Sequence, residues 1–333
     1  MDRATGSDEV ALIADDTTRA LAAIAAFWRA AMPAEVVAVT GSNGKTTVKQ
    51  MLAAILEEMG PTLATHGNLN NAYGVPLTLC RLHPGIRYAV IEMGAGKRGD
   101  IALLADIARP HVGVITNARA AHLDGFGDID GVALGKGELF PALPMDGTAV
   151  INADDPRQAV WRELAGARRV IDFGIRQPAR VTGSRAASGA PCSIHVDGEA
   201  ITVDLPVPGQ HGLANALAAT AAARALGIPL ARIAAGLARF VPPEGRLGIR
   251  QADCGATILD DTYNANPASL QAAVEVLTGM PGQPWVALGA MAELGGDAAG
   301  LHREAGALLR QLGVRRLYVL GPQRREVLLG FDG

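Results

Sequence analysis

The sequence predicts an α/β protein in which a mostly parallel sheet, covered by helices on both faces, precedes a smaller, apparently truncated Rossmann-like α/β domain. Short β-branched apolar runs alternate with amphipathic stretches along most of the chain, which is the pattern of parallel strands joined by crossover helices. The 333 residues are 49% hydrophobic and include 40 glycines. This length and composition suffice for a substantial buried core and for two domains.

The first domain is placed at residues 34–241, after an N-terminal remnant or linker at residues 1–33 that carries one amphipathic helix over 17–31. Apolar runs predict strands at residues 35–40, 88–93, 111–116, 148–152 and 169–173. Amphipathic stretches predict helices at residues 48–59, 100–108, 129–143, 212–226 and 230–240. Two alternating segments, 192–196 and 200–205, predict an antiparallel hairpin at the sheet margin.

The second domain is placed at residues 246–333, beyond the proline- and glycine-containing segment 241–245. Strands are predicted at residues 256–259, 285–288 and 316–320, with helices at 269–277 and 301–312. Three strands are few for a doubly wound domain. We therefore expect this part of the fold to be partial.

Composition argues against several function classes. A net charge of -3 gives no electrostatic reason to expect a nucleic-acid partner. We expect a cytoplasmic protein without a membrane span, because the sequence has neither a leader nor an apolar run of sufficient length. Cys80, Cys192 and Cys254 lack the paired spacing of a disulfide framework or a zinc site.

Residues 35–47 form the segment around which the chain is organised. An apolar run is followed by Thr40-Gly-Ser-Asn-Gly-Lys-Thr-Thr47 and then by an amphipathic helix. Backbone N–H groups of such a loop and helix start can hold phosphates, with Lys45 reaching the β and γ oxygens and Thr46 suited to Mg2+. Two residues separate Gly41 from Gly44, where the common motif has four. We expect a P-loop ATPase domain that binds ATP.

Two polar residues near the carboxyl ends of predicted strands are further candidates, because ligands of open parallel sheets bind there. Glu92 follows the apolar run 88–91, where an unpaired carboxylate is costly to bury and a metal ion beside the phosphates would remove that cost. His122 follows the strand that ends near Asn117. Its imidazole suits a position beside Mg2+ or phosphate, although a lone histidine is more often structural.

Lys136 stands out because only four of the 30 basic residues are lysines, at positions 45, 49, 97 and 136. A lysine retained in an arginine-rich chain indicates a need for a compact ammonium or a reactive amine. Gly135 and Gly137 flank it on a predicted helix. Because glycine is a poor helix former, the pair indicates close approach to another group.

Further motifs accompany these residues, and the set is similar to that of the Mur ligases, which are ATP-dependent amide-forming enzymes of peptidoglycan precursor synthesis. The motifs are Thr40-Gly-Ser-Asn-Gly-Lys-Thr-Thr47, Gly67-Asn-Leu-Asn-Asn-Ala-Tyr-Gly-Val-Pro76, Ile91-Glu-Met-Gly-Ala95, Ala121-His-Leu-Asp-Gly-Phe-Gly127, Lys136-Gly-Glu138, Asp260-Asp-Thr-Tyr-Asn-Ala-Asn266 and Met291-Ala-Glu-Leu-Gly295. They resemble most the branch that joins D-alanyl-D-alanine to UDP-N-acetylmuramoyl-tripeptide. The resemblance runs from about residue 13 to about residue 325.

This resemblance implies the cofactors ATP and Mg2+, the latter as two ions, and a role for each matching residue. Nucleotide binding is implied for Gly41, Ser42, Asn43, Gly44, Lys45, Thr46, Thr47, Asn215, Arg246, Asp261 and Asn264. Metal binding is implied for Thr46, Glu92, His122 and Lys136, the last as a carbamate formed with CO2. Contact with the muramoyl-peptide is implied for Asn68, Asn70 and Asn71, and catalysis for Lys45, His122 and Lys136.

The implied reaction begins with phosphoryl transfer from ATP to the substrate carboxylate, which gives an acyl phosphate. The amine of D-alanyl-D-alanine then attacks the carbonyl, and the tetrahedral intermediate expels phosphate. The substrates are therefore UDP-N-acetylmuramoyl-tripeptide and D-alanyl-D-alanine. We expect a monomer.

Several departures from the family pattern leave other functions open. The family's His-Asn pair before the adenine is His211-Gly212 here, and its Gly-Asp-Met is Gly289-Ala290-Met291. The uridine-binding N-terminal domain of the family is almost wholly missing before residue 13, and the last strands of its C-terminal domain are missing too. The alternatives are a truncated nucleotide-binding module or ATPase without ligation, and a related ligase of the folylpolyglutamate or cyanophycin type.

Overall fold

The main sheet of the protein is mostly parallel, as predicted. The computed structural model describes residues 13–120, 123–186, 190–292, 294 and 297–333. Within these ranges the sheet has nine strands, namely β1 (Glu35–Thr40), β2 (Thr62–Ala64), β3 (Tyr88–Glu92), β4 (Val112–Ile115), β5 (Thr148–Asn152), β6 (Arg169–Gly174), β7 (Val181–Arg185), β8 (Cys192–Val196) and β9 (Glu199–Val203). Their order is β2-β3-β1-β4-β5-β6-β7-β8-β9. Neighbours are parallel from β2 to β7 and antiparallel from β7 to β9.

This strand order sets the position of the site. Strand β1 lies between β3 and β4 and is parallel to both. The residues just beyond the carboxyl ends of these three strands therefore meet at one edge of the sheet, where ligands of parallel sheets bind.

Helices cover both faces of this sheet. They are α1 (Thr17–Ala30), α2 (Lys45–Glu57), α3 (Gly74–Leu79), α4 (Asp100–Ala108), α5 (Leu123–Phe126), α6 (Ile129–Gly137), α7 (Gln158–Ala165), α8 (Gly209–Ala225) and α9 (Leu230–Arg239). Along β1, Val37 and Val39 join one core cluster while Val36 and Ala38 join the other, as the alternation of side chains along a strand requires. No helix in the described ranges is both long and apolar enough to cross a membrane.

Arg29 joins α1 to the C-terminal end of α4. Its buried guanidinium donates hydrogen bonds to the carbonyl oxygens of Ala108, Met32 and Arg109 at 2.9, 3.0 and 3.3 Å. Ala108 is the last residue of α4, and a cation is favourable at the C-terminus of a helix. The described part of the segment expected to be a remnant or linker is thus packed onto the rest of the chain.

A second group of elements follows α9. It consists of β10 (Gly248–Gln251), β11 (Thr257–Asp260), α10 (Pro267–Thr278), β12 (Trp285–Leu288), α11 (Ala298–Gln311), β13 (Arg316–Val319) and α12 (Arg324–Asp332). Strands β10 and β11 are antiparallel, and β12 and β13 are parallel. A separate hydrophobic cluster, which includes Leu270, Val286 and Leu309, joins the β12–β13 pair to the helices.

Three features of the predicted layout differ in the structure. The helix predicted at residues 129–143 ends at Gly137, because glycines and then prolines at positions 141 and 144 do not extend a helix. Strand β11 pairs with β10, which was not predicted, so the three predicted C-terminal strands do not form one ladder. Sequence reasoning also missed β2, β7 and α12. Strand β2 has only three residues, and β7 mixes apolar and polar residues without a clear period.

Gly236 on α9 lies directly against α2. A Cβ on this residue would lie 2.7 Å from the carbonyl oxygen of Ala54 and from the backbone nitrogen of Ile55. Alanine ordinarily stabilises a helix by about 0.5–1 kcal/mol relative to glycine. We predict the opposite here: Gly236→Ala should lower the free energy of unfolding by about 1–3 kcal/mol, because α9 must move away from α2. Urea unfolding followed by circular dichroism measures the change.

Ala238→Gly, at an exposed position of the same helix, is the control for helix preference. It should destabilise by less than about 1 kcal/mol, because Ala238 lies one residue before the end of α9. A Gly236→Ala variant more stable than the natural chain would contradict the close contact between the two helices.

Candidate active site

The loop between β1 and α2 has the form that the sequence predicts for a phosphate-binding loop. Gly41 and Gly44 have φ angles of 142° and 84°, a region that favours glycine, and a Cβ on Gly41 would collide with the Thr116 side chain. Helix α2 begins at Lys45, and no side chain caps its N-terminus. Its first N–H groups and the positive end of its dipole are therefore available to an anion.

Asn117, which lies beyond β4, holds this loop in place. Its carbonyl oxygen accepts a hydrogen bond from the Ser42 N–H at 3.0 Å, and its Oδ1 accepts one from the Asn43 N–H at 3.0 Å. Its Nδ2 donates to the Asn43 carbonyl oxygen at 3.1 Å, and the Thr116 hydroxyl donates to the same oxygen at 2.6 Å. Sequence reasoning did not assign these residues, although their position just after a predicted strand was an available signal.

Lys45 folds back over the loop. Its Nζ donates hydrogen bonds to the carbonyl oxygens of Gly41 at 2.8 Å and Ser42 at 3.0 Å. Burial lowers the pKa of Lys45, the Glu92 carboxylate acts in the opposite direction, and Arg246 lowers it further. The ammonium is thus held at the loop with its charge only partly balanced, which favours an anionic ligand.

Glu92 ends β3 and is 2% exposed. Its Oε1 accepts a hydrogen bond from Asn70 Nδ2 at 2.8 Å, and its Oε2 lies 3.4 Å from Lys49 Nζ. Glu92 is therefore not unpaired in the described chain, because Lys49 and Asn70 contact it, and its expected role as a metal ligand stays a prediction. The ion pair is longer than a good hydrogen bond, and Oε2 makes no hydrogen bond within the described chain. This oxygen keeps a free position for a cation.

Lys136, near the end of α6, is 2% exposed. Its Nζ lies 3.4 Å from the Ala95 carbonyl oxygen and 5.3 Å from the centre of the Phe126 ring. Burial, with a contribution from the positive charge of Lys45, lowers the pKa of Lys136 to about 7, while Asp100 and Glu138 act in the opposite direction. A large fraction of this amine is therefore neutral near neutral pH, whereas an ordinary lysine with a pKa of about 10.4 is almost entirely protonated.

The glycines beside Lys136 approach protein side chains. A Cβ on Gly135 would collide with the Phe126 ring, and one on Gly137 would collide with Leu164 and lie 3.3 Å from Trp161. The predicted close approach is thus a helix-packing contact that lets α6 lie deep against its neighbours. The burial of Lys136 follows from this packing.

The three asparagines predicted to face a peptide substrate lie along the segment between β2 and α3. Asn70 binds Glu92, and Asn71 Oδ1 accepts hydrogen bonds from the N–H groups of Tyr73 and Gly74 at 3.1 and 3.0 Å. Asn68 is exposed and lines the same cleft. The segment is therefore shaped by its own asparagines, with Asn68 turned to solvent.

Residues beyond position 245 reach the loop from the other side. The Arg246 guanidinium lies 4.0 Å from the centre of the Tyr263 ring, and its Nη2 is 3.5 Å from Thr46 Oγ1. Asn266 Nδ2 donates to Asn43 Oδ1 at 2.8 Å. Tyr263 and Asn266 belong to a motif recognised in the sequence, but their roles as a stacking partner and a loop contact were missed.

These groups line one cleft of about 1690 Å³. With one exception, every predicted site residue lies on it: Gly41, Ser42, Asn43, Gly44, Lys45, Thr46, Thr47, Asn68, Asn70, Asn71, Glu92, Lys136, Asn215, Arg246, Asp261 and Asn264. His122 is the exception, since it lies outside the described residues. Burial raises the pKa of Asp261, and Arg246 opposes that effect.

Two departures from the family pattern lie off this cleft. Its described lining includes neither Gly212 nor Ala290. A Cβ on Gly212 would lie 2.7 Å from the Val207 carbonyl oxygen, so a side chain at this position would be directed against the segment that precedes α8. His211 does line the cleft, and burial lowers its pKa.

The fold and the cleft define a P-loop α/β protein whose second α/β part contributes to the same site. Residues 39–223 match the family described as Mur ligase middle domain, and residues 245–329 match the family described as Mur ligase, glutamate ligase domain. The chain belongs to the Mur ligase family.

Several similar proteins bear the names of one branch of that family. The chain is 43% identical over 320 residues to the UDP-N-acetylmuramoyl-tripeptide–D-alanyl-D-alanine ligase of Escherichia coli K12, covering 95% of this chain and 71% of that protein. It is similar to MurF from Acinetobacter baumannii, with a TM-score of 0.92, 36% identity, and coverage of 98% of this chain and 73% of that one. It is also similar to MurF ligase from Thermotoga maritima in complex with ADP, with a TM-score of 0.87, 30% identity, and coverage of 98% and 76%.

Lys45→Ala tests the phosphate-binding role of the loop. We predict that it abolishes nucleotide turnover and weakens ADP binding at least about tenfold, since a charge-assisted hydrogen bond contributes about 1.5–3 kcal/mol. The melting temperature should stay within about 2 °C, because the hydrogen bonds lost lie at a half-buried loop and each contributes about 1 kcal/mol. Isothermal titration calorimetry and a thermal melt provide the measurements.

The matched control is Lys97→Ala, which removes an exposed lysine and should change neither quantity. If Lys45→Ala binds and turns over nucleotide like the natural chain, the loop is not the nucleotide site.

Proposed function

We propose that this chain ligates D-alanyl-D-alanine to UDP-N-acetylmuramoyl-tripeptide with ATP, through an acyl phosphate. One observation carries the proposal. A single cleft brings together a phosphate-binding loop, a buried carboxylate with one free oxygen, a buried lysine with a depressed pKa, and an asparagine strip. The relative that is 43% identical carries the name of this activity, and the MurF of Thermotoga maritima is described with ADP.

The loop and its neighbours position the nucleotide. The uncapped N-terminus of α2 offers N–H groups to the phosphates, and Lys45 must leave the Gly41 and Ser42 carbonyls to reach the terminal phosphate. Arg246 approaches Thr46 from the opposite wall of the cleft. The transferred phosphoryl group thus lies among fixed donors and cations, which is how phosphoryl transfer is accelerated.

The residues that would hold Mg2+ are Thr46, Glu92, His122 and Lys136 as its carbamate, and we propose two ions. Glu92 fits such a role because its Oε2 is buried without a hydrogen bond in the described chain. Within the described part of the chain, no three His, Cys, Asp or Glu side chains are grouped so that they could hold a metal ion, and we propose a further oxygen donor. When bound, Mg2+ supplies charge neutralisation for the phosphates.

Lys136 can supply that donor. Its neutral Nζ forms an N–C bond to CO2 and loses a proton, which yields a carbamate with two oxygens and one negative charge. Because an ammonium has no free electron pair, the reactive fraction rises as the pH increases through about 7. Burial therefore increases the fraction of this amine that is neutral and able to react. An arginine could not undergo the same reaction.

The substrate carboxylate and the incoming amine meet at the same end of the sheet. We assign the muramoyl-peptide to Asn68, Asn70 and Asn71, which lie beside Glu92 in the cleft. We propose that the protein is a monomer. Since both ATP and a UDP-linked precursor are substrates, we place the reaction in the cytoplasm.

Phosphate release with each combination of substrates tests the proposal. We predict that release requires ATP, Mg2+, UDP-N-acetylmuramoyl-tripeptide and D-alanyl-D-alanine together, and that mass spectrometry shows the pentapeptide product. Glutamate with a folate acceptor serves as the comparison substrate pair. Phosphate release with ATP alone, without ligated product, would instead identify an ATPase without ligation.

The carbamate is tested by replacing Lys136. We predict that Lys136→Ala loses at least about 100-fold in kcat, which is roughly 2.7 kcal/mol, and recovers part of it with added acetate, whose carboxylate can stand in for the carbamate. Lys136→Arg should not be rescued, because its side chain occupies the space. Steady-state phosphate release over an acetate series gives the answer.

Acetate should leave the natural chain and Lys97→Ala unchanged. A fully active Lys136→Arg variant would show that no carbamate takes part.

A further inference from the structure

Two of the four lysines have no task in the proposed reaction, and they differ sharply in environment. Lys97 is exposed, whereas Lys49 has no exposed surface. Lys49 lies on α2, one helical turn after Lys45. Because lysine is almost never fully buried unless it is paired, its partners indicate what it does.

The Lys49 ammonium contacts two separate segments of the chain. Its Nζ donates hydrogen bonds to the carbonyl oxygens of Thr65 at 2.8 Å and Gly67 at 3.3 Å. It also lies 3.4 Å from Glu92 Oε2. Two of the three donors of the ammonium are used by these carbonyls, and the contact with Glu92 is an ion pair without a hydrogen bond.

The two carbonyls belong to the turn that leads into the asparagine strip at residues 68–71. That strip is tied to β3 as well, since Asn70 Nδ2 donates to Glu92 Oε1 at 2.8 Å and the Gly94 N–H donates to the Asn70 carbonyl oxygen at 2.8 Å. Glu92 is therefore held through one oxygen by Asn70 and through the other by Lys49. Lys49 connects this assembly to the helix that begins at the phosphate-binding loop.

We propose that Lys49 is a positioning residue that fixes the Glu92 carboxylate and the asparagine strip relative to α2, so that the peptide substrate is held in line with the nucleotide. The identity of the ligands rests on the proposed function, whereas the coupling of the three segments does not. A lysine that only neutralised Glu92 would need no bonds to the carbonyls of Thr65 and Gly67. Two of its three contacts are to these carbonyls.

Hydrogen exchange on the full chain, without ligands, tests this coupling. The amides of Leu69 and Asn70 donate to the carbonyl oxygens of His66 and Asn68, and so report on the strip. We predict that Lys49→Met increases their exchange at least about tenfold while the amides of β5 change less than twofold. Lys97→Met, the same change at an exposed position, should leave all of them unchanged. Exchange of the strip within twofold of the natural chain in Lys49→Met would overturn the proposal.

A second variant covers the case in which Lys49→Met fails to fold because Glu92 is left charged and unpaired. Lys49→Met combined with Glu92→Gln removes both charges and keeps an acceptor for Asn70. If Lys49 positions the strip through the two carbonyls, the strip in this double variant exchanges at least about tenfold faster than in Glu92→Gln alone. Equal exchange in the two would show that Lys49 serves only to balance charge, and would overturn the proposal.

Kinetics separate positioning from a general loss of structure. We expect Lys49→Met to raise the KM for UDP-N-acetylmuramoyl-tripeptide at least about tenfold, and at least about fivefold more than the KM for ATP, because Lys45 and the loop are unchanged. An equal rise in both constants would overturn the proposal. If the natural chain ligates no substrate, the proposed function fails, and the exchange measurements still decide the role of Lys49.

Discussion

The buried carboxylate of Glu92 is the constraint on which the site depends. A charge removed from water costs several kcal/mol unless it is paired and hydrogen-bonded. Here the pairing comes from Lys49 on α2 and Asn70 on the segment after β2. These partners come from different elements, so α2, that segment and the end of β3 must be correctly placed together. The Oε2 atom itself makes no hydrogen bond in the described chain and lies 3.4 Å from the Lys49 ammonium.

Close packing of helices explains why the Lys136 amine is buried and its pKa is lowered. Gly135 and Gly137 let α6 lie against Phe126, Leu164 and Trp161, and this depth buries Lys136. Burial is the largest cause of its lowered pKa. The two glycines thus keep the pKa of Lys136 low, since a bulkier residue at either position would push the helix outward and expose the amine to water.

The features predicted most accurately from the sequence are strands buried along their whole length and motifs made of contiguous residues. Strands at residues 35–40 and 148–152 were placed without error, because strands buried on both faces read as unbroken apolar runs. The three-residue β2 and the exposed β10 carry no such signal. The phosphate-binding loop was predicted because its residues are contiguous. The Lys49–Glu92 pair and the Asn43–Asn266 contact were missed, since the latter joins residues 223 apart and no periodicity records which distant side chains meet.

Electrostatics explains how the cleft selects its ligand although the chain carries a net charge of -3. Burial is the largest cause of the lowered pKa of Lys45, Lys49 and Lys136. Arg246 lowers the pKa of Lys45 and Lys49 further and Lys45 lowers that of Lys136, whereas Glu92 raises the pKa of Lys45 and Lys49 without cancelling the effect of burial. A polyanion among these cations raises those pKa values, so its binding also stabilises the folded chain by linkage. The cost of burying these cations is thus offset when a triphosphate binds.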